Sequence, residues 1–191
     1  MKLILASQSP RRRELLELFH IPFEIRAADI DETMDPEKDP ASEVARVSLA
    51  KASAICAEPE DTVIAADTIV VLEGTVLGKP TSPEHAVGML QALSGKDHQV
   101  MTGITVLRGH RVLTYTEITD IHFRPLSLKE ITNYVATGEP MDKAGAYGIQ
   151  GGAALFAEKM HGDYYNVMGL PLCRLWQMLH SISPALLEDT Q

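Results

Sequence analysis

The chain has 191 residues, and its 17 basic and 26 acidic side chains give a formal net charge of −9. This negative balance argues against a protein that binds nucleic acid nonspecifically, because phosphate contacts need lysine and arginine. The two cysteines, Cys56 and Cys173, exclude a disulfide framework and a cysteine-based zinc site, and their helix-like apolar surroundings predict buried thiols.

The first half of the chain reads as alternating strands and helices. Serine-proline pairs at Ser9-Pro10 and Ser82-Pro83 predict helix starts, since serine caps a helix and proline suits its first position. Ser42 is expected to cap a longer helix through about Ala57, after an acidic loop over residues 29–39. The predicted strands of this half cover residues 3–6, 22–27, 62–72 and, after a turn, 75–77.

The second half continues this alternation and adds a Gly-rich segment. Ser127 and Glu130 form a capping box, which predicts a helix that ends at Thr137. Residues 141–152 are expected to be a loop with little local structure. The other predicted elements are the helix from Pro83 to about Leu93, strands over residues 99–107, 112–123 and 153–160, a helix over residues 171–180 and a frayed tail.

Strands that alternate with helices, together with hairpins, predict an α/β protein with a mixed sheet. The Gly-rich segment after a helix suggests two lobes around a cleft. We expect one domain over residues 1–182 and a flexible tail over residues 183–191. The amino-terminal apolar run is too short for a signal peptide, and no stretch approaches the ~18 apolar residues of a membrane span, so a cytoplasmic protein is expected.

Three arginines, Arg11, Arg12 and Arg13, occupy the first turn of the first predicted helix. Positive charge is unfavourable there, because the helix macrodipole already places about half a positive charge at that end. A bound anion removes this cost, since helix amides, a serine hydroxyl and arginine forks together can hold a phosphate. The alternative is a solvated charge run. Arg13 is expected to face solvent or to form a salt bridge.

Asp67 lies in the middle of an apolar strand, where a carboxylate is costly to bury unless it is paired or binds a metal. It is therefore a candidate metal ligand or general base. The alternative is a strand-end aspartate at a bulge that caps a neighbouring turn. Further along, Lys79 stands between Gly78 and Pro80, where a lysine could reach a phosphate.

Two loops carry weaker signals. The acidic run over residues 29–32 either supplies oxygen ligands for magnesium or is a solvated loop, and Lys51 has the pattern of a surface residue. Small residues around Tyr147 and Gln150 suit a backbone that approaches a flat ligand, or equally a mobile connector. The seven histidines show no zinc-binding spacing and are expected at the surface or in packing.

Taken together, motifs from residue 3 to about residue 172 resemble the Maf family of nucleotide pyrophosphatases. They are Ser7-x-Ser9-Pro10-Arg11-Arg12, Ala65-Ala66-Asp67-Thr68, Gly78-Lys79-Pro80, Ser94-Gly95 and the run over residues 142–151. The resemblance implies an elongated mixed sheet with two lobes around a deep cleft, similar to the inosine triphosphate pyrophosphatases. It also implies hydrolysis of nucleoside triphosphates to monophosphate and pyrophosphate with a divalent metal, Mg²⁺ or Mn²⁺. The family is linked to the clearing of noncanonical or excess nucleotides and to arrest of cell division.

The resemblance further implies roles for individual residues. Asp67 is the general base or the metal-bound activator of water, and Glu32 shares the metal with Asp67. Arg11, Thr68 and Gln150 resemble the subgroup that prefers dTTP and UTP, whereas another subgroup has Trp, Gln and Glu there and prefers 7-methyl-GTP. A glutamine amide offers one donor and one acceptor, which suits the edge of uracil or thymine. The expected phosphate-binding residues are Ser7, Arg12, Lys51 and Lys79.

The competing hypothesis is a nucleotide-binding regulator of septum formation with little turnover. The carboxylates of Asp67 and Glu32 favour the enzyme, since a pure binder has no need to keep them beside a polyanion. A nucleic-acid binding module is a third hypothesis, which the net charge of −9 disfavours. The expected partners are a nucleoside triphosphate and, in a homodimer, a second copy of the chain, with neither nucleic acid nor a membrane.

Overall fold

The computed structural model describes residues 1–187, and the described chain divides into two compact units. The first unit contains Met1–Asp67, Thr102–Glu117 and the described residues from Gly169 onward. The second unit contains Thr68–Met101 and Ile118–Met168. Each unit therefore combines stretches that are far apart in the sequence.

Seven strands of the described chain form one mixed sheet, which confirms the predicted α/β class. The strands are β1 (Leu3–Leu5), β2 (Phe23–Ile25), β3 (Thr62–Leu72), β4 (Thr75–Leu77), β5 (Asp97–Arg108), β6 (Arg111–Phe123) and β7 (Ala157–His161). Their order is β2-β1-β3-β5-β6-β7, with β4 paired to β3 outside this path. β1 runs parallel to β2 and β3, with Leu3 opposite both Phe23 and Thr62, whereas the β3–β4 and β6–β7 pairs are antiparallel.

The helices of the described chain are α1 (Pro10–Glu17), α2 (Pro40–Ser53), α3 (Pro83–Leu93), α4 (Leu128–Ala136), α5 (Tyr164–Met168) and α6 (Leu172–Ile182). The Ser82 cap and the capping box of α4 are formed as predicted. α2 begins earlier than predicted, because Asp39 caps it by accepting a hydrogen bond from the Ser42 amide. The short α5 was missed, since five residues carry no helical periodicity. Each helix of residues 1–187 is too short or too polar to span a bilayer.

The core of the first unit is made of small aliphatic side chains. Its buried members come from β1, β3 and α2, and they are Ile4, Ala6, Ala52, Val63 and Ala65. Helix α2 lies so close to β5 that a side chain at Gly103 would overlap the backbone of Val44. Residues on this face of α2 are therefore pressed against the sheet and lose their water.

The second unit has an aromatic core instead. Phe123, Tyr134, Tyr147 and Phe156 are buried there against the apolar face of α3. The segment over residues 141–152 is more ordered than predicted, because short 3₁₀ turns hold it and Tyr147 is buried. These turns cover Glu139–Asp142, Ala144–Ala146 and Gly152–Leu155. The third turn also delays β7, which begins four residues after the predicted start at 153.

Two further predictions need correction. Both cysteines are exposed, because Cys56 lies beyond the end of α2 and Cys173 lies on α6 outside its buried face. The packed chain continues past residue 182, since Ser183 is buried with its hydroxyl 2.6 Å from that of Thr62, and Leu187 is buried as well. The rest of the predicted tail, residues 188–191, lies outside the described residues. The single-domain boundary stays a prediction.

Candidate active site

A buried ion pair joins Lys51 of α2 to Asp67 in the middle of β3. The Lys51 ammonium donates a hydrogen bond to Asp67 Oδ1 at 2.7 Å, and the two residues are 8% and 9% exposed. The alternative of a surface position for Lys51 does not apply, because the end of α2 that carries Lys51 and Ala52 is buried in the core. Asp67 lies inside a continuous strand, so the alternative of a strand-end cap does not apply. Each charge offsets the cost of burying the other.

Glu32 approaches the same ammonium from the acidic loop. Its Oε2 lies 2.9 Å from Lys51 Nζ, although the glutamate side chain is half-exposed. We call Lys51, Asp67 and Glu32 the charged cluster. In this cluster two carboxylates lie around a single positive charge. A purely solvated acidic loop would not bring Glu32 to this position, so the structure favours the first interpretation of the loop.

Two α2 residues that the sequence analysis missed hold this loop. Arg46 donates a hydrogen bond to the Thr33 carbonyl at 2.8 Å, and Glu43 accepts one from the Asp35 amide at 2.9 Å. Hydrogen bonds from Arg46 lower the pKa of Glu43 to about 2. The i, i+3 spacing of Glu43 and Arg46 was the available signal, but it is also typical of an ordinary surface pair.

The arginine-rich start of α1 is confirmed as a helix start, and its arginines face different surroundings. Arg13 pairs with Glu17 at 2.9 Å at the surface, as predicted. Arg12 is half-buried, and its guanidinium donates to the Gly169 carbonyl at 2.8 Å and to the hydroxyl of buried Ser7 at 3.4 Å. Ser9 occupies the cap position, but its hydroxyl makes no capping hydrogen bond.

Burial lowers the pKa of the Arg12 guanidinium, and the negative charge of Asp67 opposes this shift. Arg11 lowers the pKa of Arg12 further, whereas Glu32 raises it. Arg12 therefore lies within electrostatic range of Arg11 and of both carboxylates of the charged cluster. The structure thus brings Ser7, Arg11, Arg12, Glu32, Lys51 and Asp67 into one region of the first unit.

The remaining predicted site residues belong to the second unit. Thr68 follows Asp67 in β3 and is half-buried, whereas Lys79 and Gln150 are exposed. The Gly145 amide donates to the Gly78 carbonyl at 3.0 Å, so the Gly78-Lys79-Pro80 motif contacts the Gly-rich segment. This contact links two motifs that are distant in sequence, and no local pattern could have predicted it.

The Gly-rich segment is packed rather than a mobile connector. Tyr147 lies edge-on to Phe123, with ring centroids 4.9 Å apart, and its hydroxyl is 2.8 Å from Nε2 of the buried His98. Burial lowers the pKa of His98 to about 4, so this imidazole is neutral near pH 7. His98 is a packing histidine, as the sequence analysis expected of the histidines in general.

The carboxylates of the charged cluster fit a divalent cation. Among the described residues, no three His, Cys, Asp or Glu side chains form a metal-binding group. Mg²⁺ does not need such a cage, since one or two carboxylates suffice when substrate phosphates and water complete the octahedron. Asp67 and Glu32 supply two carboxylates that already converge on a positive charge.

Comparison with known proteins connects this arrangement to a family. The family model described as "Maf-like protein" matches residues 2–182. A protein of Symbiobacterium thermophilum named "dTTP/UTP pyrophosphatase" is 52% identical over 179 residues, which cover 93% of this chain and 92% of the relative. A Geobacillus protein of the same name is 49% identical over 174 residues, covering 91% and 94%.

Among solved structures, a HAM1 protein from Coxiella burnetii matches 95% of this chain and 99% of its own, with a TM-score of 0.52 and 15% sequence identity. At this identity the likeness concerns the fold alone. It confirms the expected kind of fold, a mixed sheet with flanking helices that is shared beyond close relatives.

Proposed function

The chain belongs to the Maf family, and from this membership we propose that it is a nucleoside triphosphate pyrophosphatase that hydrolyses dTTP and UTP to the monophosphate and pyrophosphate. The observation that carries the proposal is the charged cluster, in which buried Lys51 joins Asp67 and Glu32 within electrostatic range of Arg12. Such a site combines cationic groups for phosphates with carboxylates for a metal and a proton.

Release of pyrophosphate requires a water molecule to attack the α-phosphorus. Asp67 accepts the proton of this water, because its carboxylate lies on a continuous strand and is shielded from bulk solvent. A divalent cation held by Asp67 and Glu32 would supply charge neutralisation at the phosphate oxygens. Lys51 is the third charged group at this position, and its ammonium can turn from the carboxylates to a phosphate oxygen.

Two kinds of group bind the phosphate tail: side chains that are already held in place and side chains that can adjust to the ligand. Arg12 is held by its bonds to the Gly169 carbonyl and the Ser7 hydroxyl, so it can bind a phosphate without losing much conformational freedom. Lys79 is exposed and adapts to the ligand. Ser7 adds a hydroxyl beside the helix start.

The base is read by Arg11, Thr68 and Gln150 in this proposal. Gln150 offers a donor to O4 and an acceptor to N3–H of uracil or thymine, which matches the substrates named for the relatives. The physiological role that we propose is the removal of unwanted nucleotides in the cytoplasm, with a link to cell division. The alternative of a regulator with little turnover is not favoured, because the relatives are named as pyrophosphatases and this chain matches them over more than nine-tenths of their length.

The test is release of pyrophosphate from a panel of nucleoside triphosphates by the purified full chain, with Mg²⁺, with Mn²⁺ and with a chelator. We expect dTTP and UTP to be the best substrates and the chelator to abolish turnover. Tight nucleotide binding without pyrophosphate release would contradict the proposal and support the regulator. Equal turnover with the chelator present would contradict the proposed need for a divalent cation but not the pyrophosphatase activity.

A further inference from the structure

We propose that Tyr134 and Glu139 act together as a positioning clamp that sets the nucleotide selectivity of the Gln150 loop. The inference rests on the proposed function, since it concerns the loop assigned to base reading. We use the name Tyr134–Glu139 clamp for these two side chains and their hydrogen bonds. Neither residue was singled out from the sequence.

The clamp binds both ends of a five-residue loop. The Gly148 amide donates to the Tyr134 hydroxyl at 3.0 Å, and the Gly152 amide donates to Glu139 Oε2 at 3.1 Å. The clamp is itself joined, because the Tyr134 hydroxyl donates to Glu139 Oε1 at 2.9 Å. The backbone on each side of Gln150 is therefore fixed to one connected pair of side chains.

Two glycines of the loop, Gly148 and Gly151, lie against the Glu139 carboxylate. A Cβ at Gly151 would overlap this carboxylate, and one at Gly148 would lie 3.1 Å from Glu139 Oε1 and closer still to the Lys143 side chain. The carboxylate thus lies directly against the loop backbone, and a larger residue at Gly151 would displace it. This explains physically why small residues surround Gln150.

The clamp stands on a rigid base. Tyr134 is 6% exposed on α4, whose start is fixed by its capping box, and its ring lies edge-on to Phe156 with centroids 5.2 Å apart. Burial raises the pKa of the Tyr134 hydroxyl, so it stays a neutral donor to Glu139. The Lys143 ammonium donates to the Glu139 carbonyl at 2.6 Å, which holds the glutamate backbone as well.

The chemical consequence is a separation of tasks. The side chains of Tyr134 and Glu139 form hydrogen bonds with the loop backbone and with each other, whereas Gln150 itself is exposed. A base-reading amide discriminates only if its donor and acceptor stay in register with the base edge. Loss of the clamp should therefore reduce discrimination between bases more than it reduces handling of the triphosphate.

The experiment compares Tyr134→Phe, Glu139→Gln and Glu139→Ala with the wild-type chain. Tyr134→Phe keeps the ring in the aromatic core and removes only the hydroxyl. Tyr147→Phe is the matched control, since it removes a buried hydroxyl of the same unit that bonds to His98 and not to the loop backbone. For each protein, kcat and KM are measured for UTP, dTTP, CTP and GTP, and amide hydrogen exchange is followed over residues 148–152.

We expect Tyr134→Phe and Glu139→Ala to speed amide exchange at the loop and to lower the ratio of kcat/KM for UTP to that for GTP by about 3-fold to 10-fold, the equivalent of one lost hydrogen bond. Glu139→Gln, which keeps an acceptor for Gly152, should lie between Glu139→Ala and the wild type. Tyr147→Phe should leave the ratio unchanged.

Two results would overturn the inference. Unchanged exchange over residues 148–152 in Glu139→Ala would show that the clamp does not hold the loop. Faster exchange with an unchanged UTP to GTP ratio would show that the held loop does not select the base. A wild-type chain that releases no pyrophosphate from any nucleotide would instead overturn the proposed function, and the exchange measurement, which needs no turnover, distinguishes that case.

Discussion

The charged cluster of the first unit and the Gln150 loop of the second hold their functional groups in opposite ways. In the cluster, the reactive side chains themselves are buried, and Lys51 and Asp67 fix each other. In the loop, the candidate side chain is exposed and only its backbone neighbours are fixed, by the Tyr134–Glu139 clamp.

This difference separates rate from selectivity. A change in the cluster removes a charge that every nucleoside triphosphate meets, so its effect should be large and independent of the base. A change in the loop alters contacts that differ between bases, so its effect should be smaller and selective. Variants that violate this division would show that the two regions do not have separate tasks.

The largest effect is expected from Asp67→Asn. The substitution keeps the shape of the side chain but removes the proposed proton acceptor and one carboxylate for the metal, so turnover should fall by at least the ~10²–10⁴-fold typical of general base catalysis. The measurement is pyrophosphate release from dTTP and UTP. Near-wild-type turnover would refute the assigned mechanism.

Folding of this variant must be checked, because Lys51 loses its buried partner. Glu32 remains 2.9 Å from the ammonium in the wild-type structure and can still balance its charge. We therefore expect Asp67→Asn to be folded but less stable, and circular dichroism with chemical denaturation measures this. If Asp67→Asn does not fold, pyrophosphate release is measured for Glu32→Gln instead. Glu32 is half-exposed, so this substitution is expected to leave the fold intact.

Next in size are Arg12→Ala and Lys79→Ala, which should each weaken the handling of all triphosphates by about 10-fold to 100-fold, as expected for a lost bond to a charged group. The two differ in stability. Arg12→Ala removes hydrogen bonds to Gly169 and Ser7, whereas Lys79 is exposed, so only the first should lower the free energy of unfolding. A swap of UTP for GTP preference in either variant would contradict their assignment to phosphates.

Gln150→Glu should have a selective effect. The change is nearly isosteric, removes the amide donor and adds a negative charge, so O4 of uracil would face a carboxylate. The expected loss is about 5-fold to 150-fold in kcat/KM for UTP, with far less loss for GTP, whose edge donates hydrogen bonds. An unchanged ratio of UTP to GTP would remove Gln150 from the residues that read the base.

The smallest effect on turnover near pH 7 is expected from His98, which should instead control stability in acid. Its pKa is lowered from 6.5 to about 4 by burial, so between these values the unfolded chain binds a proton that the folded chain does not. Stability should fall as the pH decreases through this range, by about 3 kcal/mol for a shift of this size.

Denaturant unfolding between pH 4 and pH 7 measures this dependence. His98→Gln keeps a hydrogen-bonding group for Tyr147 and should lose the His98 part of the slope, whereas the exposed His110→Gln serves as the control. Equal slopes in the wild type and His98→Gln would show that the buried imidazole does not cause the acid sensitivity.

Local sequence signals predicted most elements but only part of the site. The bounds of β3 and α3 followed from an unbroken apolar run and from the Ser82-Pro83 start, because these signals act through neighbouring residues. Buried Asp67 was likewise visible as a carboxylate inside an apolar strand. The burial of Lys51 was not, since it depends on how closely α2 approaches Gly103 of a strand some fifty residues later.

The clamp shows the same limit. In the sequence, Tyr134 is one more apolar position of an amphipathic helix, and Glu139 precedes a proline in a turn. Their role depends on the path of the Gly-rich segment over α4, which no periodicity in that segment predicts. Residues that act through backbone amides leave little trace in the side-chain pattern.

The interleaving of the two units has a consequence for how such a protein can change over time. The chain passes between the units at four places, and three of these crossings, after Asp67, Met101 and Glu117, lie inside the continuous strands β3, β5 and β6. Neither unit is therefore a module that recombination could exchange or that a truncation could isolate. New substrate preferences must then arise by point substitutions within an intact chain, and the exposed Gln150 is a position where such a change costs the fold least.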